Sequence, residues 1–114
     1  MLKVYEYDKC STCKKALKFL DGRKVAYQRL PIVEEPPTLA ELKKMLGFVG
    51  DIRKLFNTSG LVYRELGLGS KLPSMSEAQA LKLLASNGKL IKRPFALSSD
   101  HGVVGFKEAE WKKL

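Results

Sequence analysis

Hydrophobic and polar residues alternate at the start of the chain, where residues 2–7 read Leu-Lys-Val-Tyr-Glu-Tyr. Alternation of this kind, with β-branched and aromatic side chains, is typical of a β-strand. From Ser11 to Gly22 the period changes, so that apolar residues fall on one helical face and lysines on another. The pattern therefore predicts a strand followed by a helix.

The middle of the chain is predicted to be helical. A second strand is expected over 25–32, parallel to the first because a helix joins them in a right-handed crossover. Residues 38–87 then carry helical patterns and no strand pattern, and we call them the helical block. Within it, Thr38–Glu41 and Ser74–Glu77 match the capping-box signature, and the first of these helices is expected to end at Gly47.

Strand patterns return at residues 89–97 and 103–106, and the turn residues at 98–102 predict that they form an antiparallel hairpin. A last helix is expected over 107–114, with acidic residues early and lysines late. The order β-α-β, helical block, β-β-α predicts an α/β thioredoxin-like fold with a four-stranded mixed sheet and a helical insertion. The length suits one domain, residues 1–114.

Charge and apolar content narrow the class of protein. The formal net charge is +9, but the 21 Lys and Arg residues are scattered and form no aromatic-interleaved RNA motif. Solvated helix faces, an acidic protein partner or an anionic thiol substrate would all account for this charge, and direct nucleic-acid binding is not expected. The chain has no apolar signal region or membrane-length apolar run, so we expect a cytoplasmic protein away from membranes. Nothing in the pattern suggests an obligate dimer, and a monomer is expected.

Cys10 and Cys13 fall where the first strand ends and the first helix begins. Unpaired amides at a helix N-terminus favour an anion, so the Cys10 thiolate should be stabilised there. A spacing of three residues places Cys13 one helical turn away, close enough for a disulfide to form and reopen. The pair is thus suited to thiol–disulfide exchange, in which Cys10 attacks and Cys13 resolves the mixed disulfide.

The two cysteines are also compatible with roles that involve no thiol exchange. Half of a zinc site would need further ligands, and His101 is the only histidine, so no metal is expected. Two inert buried cysteines would fit the pattern as well. A structural disulfide is disfavoured because so short a loop constrains little of the unfolded chain. His101 lies in the predicted turn and is expected to be a turn residue rather than a catalytic base.

Arg93-Pro94 forms a second candidate site element, within the predicted strand 89–97. Proline inside a strand is normally confined to an edge, unless a cis bond there serves another purpose. Most X–Pro bonds in folded proteins are trans. The residues alone leave a functional role and a surface role for this pair open.

The chain resembles the arsenate reductase/Spx/MgsR-related family of thioredoxin-fold proteins over nearly its full length. The resemblance rests on the early strand before Cys10, on Cys13 at the resolving position, and on four later segments: 55–58, 63–67, 90–94 and 105–106. It implies that Pro94 is cis beside the cysteines and that Arg93 faces Cys10, where it can hold an oxyanion. Ser11, Thr12, Asn57 and Pro94 are expected to border the substrate.

Two departures from the family pattern weaken an arsenate-reducing role. Arsenate reductases of the family resemble one another in having three anion-clamping arginines, whereas this chain has Asn57 and Phe106 at two of those positions. Arg93 alone is a poor clamp for a dianion that favours several bidentate donors. Arsenate reduction is therefore the third hypothesis.

The first hypothesis is a thiol–disulfide oxidoreductase or glutaredoxin-like thiol reductase with no bound cofactor. Glutathione or another thiol would serve as its co-substrate, and a thiol or protein disulfide as its substrate. The alternative is an Spx/MgsR-type redox-sensing transcription regulator, which the resemblance implies would bind the C-terminal domain of the RNA polymerase α subunit. Gly50 lies close to the glycine that Spx-type proteins use in that contact.

Overall fold

The computed structural model describes residues 1–114 and contains one four-stranded sheet. The strands in chain order are β1 (Leu2–Glu6), β2 (Tyr27–Pro31), β3 (Phe95–Leu97) and β4 (Gly102–Val104). They lie side by side in the order β2-β1-β3-β4. β1 pairs with β2 in parallel, while β1 with β3 and β3 with β4 are antiparallel, so the sheet is mixed as predicted.

One helix joins the two parallel strands, four lie between β2 and β3, and a single turn of helix follows β4. None of these helices has the length and apolar character needed to cross a bilayer. The helices in chain order are α1 (Ser11–Gly22), α2 (Leu39–Val49), α3 (Leu61–Glu65), α4 (Leu68–Lys71), α5 (Glu77–Ser86) and α6 (Glu108–Trp111). The hydrophobic pattern of the sequence did not predict α4.

Apolar side chains cover both faces of the sheet. Tyr5 and Phe95 face the helical block, where they join a cluster of 15 buried residues. Val4 and Ala96, one position away along their strands, face α1 and α6 in a cluster of seven that includes Trp111. This division follows from the pleat, because successive side chains of a strand point to opposite faces.

Glu41, in the first turn of α2, ties the helical block to the sheet. Its carboxylate accepts a hydrogen bond of 2.7 Å from the Tyr5 hydroxyl and lies 3.3 Å from Lys3 Nζ. It also accepts from the Thr38 backbone N–H at 3.0 Å, as half of the predicted capping box. Burial alone would raise the pKa of Glu41, but the hydrogen bonds from Thr38, Tyr5 and Lys3 lower it overall.

Two predicted helix boundaries are wrong. α5 is capped by Ser76, whose side chain accepts from the Gln79 amide, so the capping box is Ser76–Gln79 rather than Ser74–Glu77. α2 does not end at Gly47 but continues to Val49. Gly50 then ends it in the left-handed conformation at φ 85°, where glycine is favoured because it has no Cβ.

The predicted strand 89–97 is also wrong over its first half. Residues 88–90 form a 3₁₀ turn, and Ile91 makes an isolated bridge with Phe56, so only Phe95–Leu97 belong to the sheet. Arg93-Pro94 therefore precedes the strand instead of lying within it. The other strand and helix ends differ from the prediction by a few residues, and α6 is shorter than predicted because it spans only Glu108–Trp111.

Candidate active site

Cys10 is the N-cap residue of α1. Its backbone is extended, and its Sγ accepts a hydrogen bond from the Cys13 backbone N–H at 3.3 Å. The Cys10 N–H donates in turn to the Tyr7 carbonyl at 3.1 Å, which holds the loop between β1 and α1. A sulfur in the position of a capping oxygen satisfies one of the free amides of the first helical turn. The geometry thus directs a helix N–H at the Cys10 sulfur.

Ser11 and Thr12 form the exposed first turn of α1 between the two cysteines. Neither backbone N–H donates a hydrogen bond within the protein. Both amides lie at the positive end of the helix dipole, beside the half-buried Cys10. The loop therefore offers two unused donors to an anionic or carbonyl group that approaches the sulfur.

Cys13 is buried beneath Cys10, with 1% of its surface exposed. Burial and a hydrogen bond with the Cys10 thiol raise the pKa of Cys13 to about 12. Both thiols are free, so the structure describes the reduced form of the pair. The two cysteines differ in access, because Cys10 is partly exposed and Cys13 is buried.

Arg93 reaches the cysteine loop through Tyr7. Its guanidinium carbon lies 4.7 Å from the centroid of the Tyr7 ring, a cation–π arrangement. The Arg93–Pro94 peptide bond is cis, which confirms that prediction. The buried Pro94 carbonyl accepts from Gly105 N–H at 2.8 Å, so the pair is anchored at the start of the antiparallel hairpin. Because the Tyr7 carbonyl also binds Cys10, the structure brings Arg93 and the cysteines to one end of the sheet.

Asn57 and Phe106 take structural partners. The Asn57 N–H donates to the Leu90 carbonyl at 2.7 Å, and its side chain accepts from Ser59 at 3.4 Å. The Phe106 ring packs edge-on against Phe19 and Trp111, with centroids 5.6 and 5.4 Å away. At the positions where the resemblance would place two arginines, the chain therefore has an amide in a local turn and a ring in an aromatic cluster.

Gly50 and His101 lie on other parts of the fold. Gly50 is exposed at the end of α2, and a Cβ added there would meet no atom within 4 Å. His101 is exposed in the turn between β3 and β4, where its carbonyl accepts from Ser98 N–H at 2.8 Å, as expected for a turn residue. No group of three or more His, Cys, Asp or Glu side chains is placed to hold a metal ion.

Two residues near the cysteines, Tyr7 and Glu6, were not among the predicted site residues. Tyr7 was taken only as a strand residue, although its ring supports Arg93. Glu6 is the one buried charged side chain, and it forms an ion pair with Arg29 on β2. The charge of Glu6 contributes to raising the pKa of Cys13, after burial and the hydrogen bond with Cys10. The sequence did hold a signal for Glu6, because it is a carboxylate at an inward-facing position of the predicted strand, four residues before Cys10.

Comparison with known proteins assigns the family. The sequence model of the ArsC family matches residues 5–114. The chain belongs to the ArsC family. Together with the Cys10–Cys13 pair, this membership supports a thiol-based redox role.

Relatives of this ArsC-family chain include proteins of different named roles. The Bacillus subtilis (strain 168) protein YusI is 46% identical over 113 residues, covering 98% of this chain and 96% of YusI. An arsenate reductase of Neisseria meningitidis is 28% identical over 106 residues, covering 91% of this chain and 89% of the arsenate reductase. The regulatory protein MgsR of B. subtilis is 27% identical over 99% of this chain and 89% of MgsR. The predicted resemblance is thus confirmed.

A solved structure agrees with the predicted fold. The crystal structure of an ArsC family related protein from Bacteroides fragilis superposes with a TM-score of 0.94 at 46% identity. The superposition covers 98% of this chain and 95% of the Bacteroides fragilis chain. The predicted thioredoxin-like α/β fold is therefore confirmed.

Proposed function

We propose that this chain is a thiol–disulfide oxidoreductase in which Cys10 is the nucleophile and Cys13 the resolving cysteine. The observation that carries this proposal is the asymmetry of the pair. Cys10 is half-buried at a helix N-cap and accepts the Cys13 N–H at 3.3 Å, whereas the Cys13 sulfur is covered. The partly exposed Cys10 can meet a substrate disulfide, and the covered Cys13 lies close enough to attack the Cys10 sulfur afterwards.

The reaction proceeds in two exchanges. The Cys10 thiolate attacks one sulfur of a substrate disulfide, forms a mixed disulfide with it, and expels the other sulfur as a thiolate that takes up a proton. Cys13 then loses its proton and attacks the Cys10 sulfur, which closes the Cys10–Cys13 disulfide and releases the second substrate thiol. Two electrons pass from the protein dithiol to the substrate. Two equivalents of glutathione, or another thiol, would return them in the cytoplasm.

The neighbouring residues would orient the substrate. The free amides of Ser11 and Thr12 are available to polar groups beside the attacked sulfur. Arg93, held over the Tyr7 ring, would attract an anionic substrate such as glutathione, and Pro94 would border the same edge. Asn57 would offer its side-chain N–H groups to the substrate, since only the side-chain oxygen has a partner, Ser59.

Reduction of a peptide–glutathione mixed disulfide by glutathione tests the proposal directly. Turnover should be abolished by Cys10→Ser, because no other thiol is accessible. Cys13→Ser should keep the glutathione-dependent reaction, which needs one thiol, and lose the reduction of a protein disulfide such as that of insulin. Far-UV circular dichroism would verify that both variants are folded. Activity that survives Cys10→Ser would contradict the proposal.

A redox-sensing regulator is the second candidate. The named relatives MgsR and a global transcriptional regulator Spx from Listeria innocua, 26% identical, favour it, as does the open space around Gly50. In this role the Cys10–Cys13 disulfide would alter binding to the C-terminal domain of the RNA polymerase α subunit.

Binding of that domain to the reduced and oxidised protein, measured by surface plasmon resonance, separates the two functions. A regulator should bind in one redox state, lose binding with Gly50→Arg and keep it with the helix-surface variant Gly47→Ala.

Arsenate reduction stays the third candidate, because Arg93 is alone at the positions where three arginines are expected. Arsenate-dependent oxidation of glutathione, absent in Cys10→Ser, would raise it above the others.

A further inference from the structure

A basic groove runs beside the edge strand β4, on the part of the surface that the thiol chemistry does not use. Its volume is about 500 Å³, and it lies between β4, the end of α2 and the segment that follows α2. Four cations and one carboxylate line it: Arg53, Lys54, Lys92, Lys107 and Glu110. No carboxylate lies within 4.0 Å of any of the four cations. We call this feature the β4 groove.

The edge of β4 presents backbone groups to the groove. Ala96 pairs with Val103, and hydrogen bonds join Gly105 to Pro94 and Ser98 to His101 on either side. Antiparallel pairs alternate between hydrogen-bonded and non-bonded, so the N–H and C=O groups of Gly102 and Val104 point away from β3. Neither residue makes a backbone hydrogen bond outside the sheet.

Apolar surface completes the groove. The Phe48 side chain is 42% exposed although it lies at the end of a helix that packs on the sheet. Val103 and Val104 also line the groove, and both are partly exposed. Their side chains point to opposite faces of the sheet, Val103 toward the cluster of seven and Val104 toward the cluster of 15. A bound strand would place alternate side chains on the two faces of the sheet, beside Val103 on one face and beside Phe48 and Val104 on the other.

We propose that the β4 groove binds an extended, acidic segment of a partner protein, which adds a fifth strand to the sheet at β4. Main-chain hydrogen bonds to Gly102 and Val104 supply affinity, as in other cases of strand addition. Excess positive charge in the groove selects acidic side chains, and Phe48 accepts an apolar one. This inference does not depend on the proposed thiol reaction, since no cysteine takes part.

Fluorescence anisotropy tests the proposal with a labelled dodecapeptide in which Glu alternates with Val or Thr. The double variant Lys92→Glu/Lys107→Glu should weaken binding by about tenfold or more, because two attractions become repulsions. The matched variant Lys43→Glu/Lys44→Glu makes the same change in net charge on exposed lysines of α2 outside the groove. It should change the dissociation constant by less than about twofold. Cys10→Ser should bind as the native chain does.

Amide hydrogen exchange adds a readout specific to strand addition. The peptide should slow exchange at Gly102 and Val104 and leave Val103 unchanged, because Val103 already pairs with β3. Equal weakening by both double variants would overturn the proposal, since general charge attraction would account for it. Absence of saturable binding would also overturn it. So would a single-stranded oligonucleotide that binds the groove as tightly as the peptide.

Discussion

At the scale of single residues, the two cysteines are chemically distinct despite their closeness. Cys10 holds its sulfur at the helix N-cap, while Cys13 is buried and has its pKa raised to about 12. The difference comes from position on the helix, because the cap faces solvent and the next turn faces the sheet. Reactivity with thiol reagents should follow this division.

Alkylation with iodoacetamide at about pH 8 should modify Cys10 and spare Cys13. With a pKa of about 12, only about one Cys13 thiol in ten thousand is ionised at that pH. Mass spectrometry of the native protein should therefore find one added group, on the peptide that carries Cys10. Denaturation before alkylation serves as the control and should yield two. Equal modification of both thiols in the folded protein would contradict the assigned asymmetry.

Replacing Gly88 and Gly47 by alanine should change the unfolding free energy in opposite directions. A Cβ on the buried Gly88 would lie 1.9 Å from the Ile32 carbonyl oxygen, whereas a Cβ on Gly47 would meet nothing within 4 Å. Gly88→Ala should cost about 3 kcal/mol of unfolding free energy, because backbone must move. Gly47→Ala should add about 0.5–1 kcal/mol, because glycine is unfavourable inside a helix. Urea denaturation measures both, and a loss from Gly47→Ala would contradict the structure.

At the scale of elements, local sequence signals predicted the presence of most helices correctly. They predicted the first residue of each helix less well. Ser74 and Ser76 both stand before the α5 pattern, each with a residue of suitable type three positions later. The structure selects Ser76 with Gln79. Ser74 instead ends a 3₁₀ turn that begins at Leu72, a buried residue in the large cluster. Packing of the preceding turn thus decided between two equivalent caps.

Ser76→Ala should lower the unfolding free energy by about 1 kcal/mol, the usual loss of a helix cap. Ser74→Ala should change it by less than about 0.5 kcal/mol, because its side chain caps no helix. Urea denaturation of the two variants, followed by far-UV circular dichroism, makes the comparison. Equal losses would contradict the assignment of the cap to Ser76 alone, and a larger loss from Ser74→Ala would assign it to Ser74.

At the scale of the whole molecule, one sheet separates a cluster of 15 buried residues from a cluster of seven. β1 and β3 contribute to both, so each face depends on the same strands. Trp111, fully buried in the smaller cluster, donates its indole N–H to the Gly105 carbonyl at 2.9 Å. It is the only tryptophan and therefore reports on that face alone.

Unfolding in urea should give coincident transitions by Trp111 fluorescence and by far-UV circular dichroism. Most helical residues belong to the opposite side of the sheet, so coincidence would mean that both faces unfold together as one domain. The expectation of a single domain over 1–114 is tested in this way. A fluorescence transition at a lower urea concentration would indicate that the helical block is stable without the smaller cluster.

The sequence by itself determined the order of elements, the mixed sheet and the placement of Cys10 at a strand-to-helix junction. These features depend on periodicity, capping residues and the handedness of crossovers, which are local or general. The cis Arg93–Pro94 bond came from the family resemblance. The contact of Arg93 with Tyr7, the burial of Cys13 and the choice of Ser76 were decided only by tertiary structure. Each of these three features depends on which distant segments of the chain pack together, and no local sequence pattern predicts such packing.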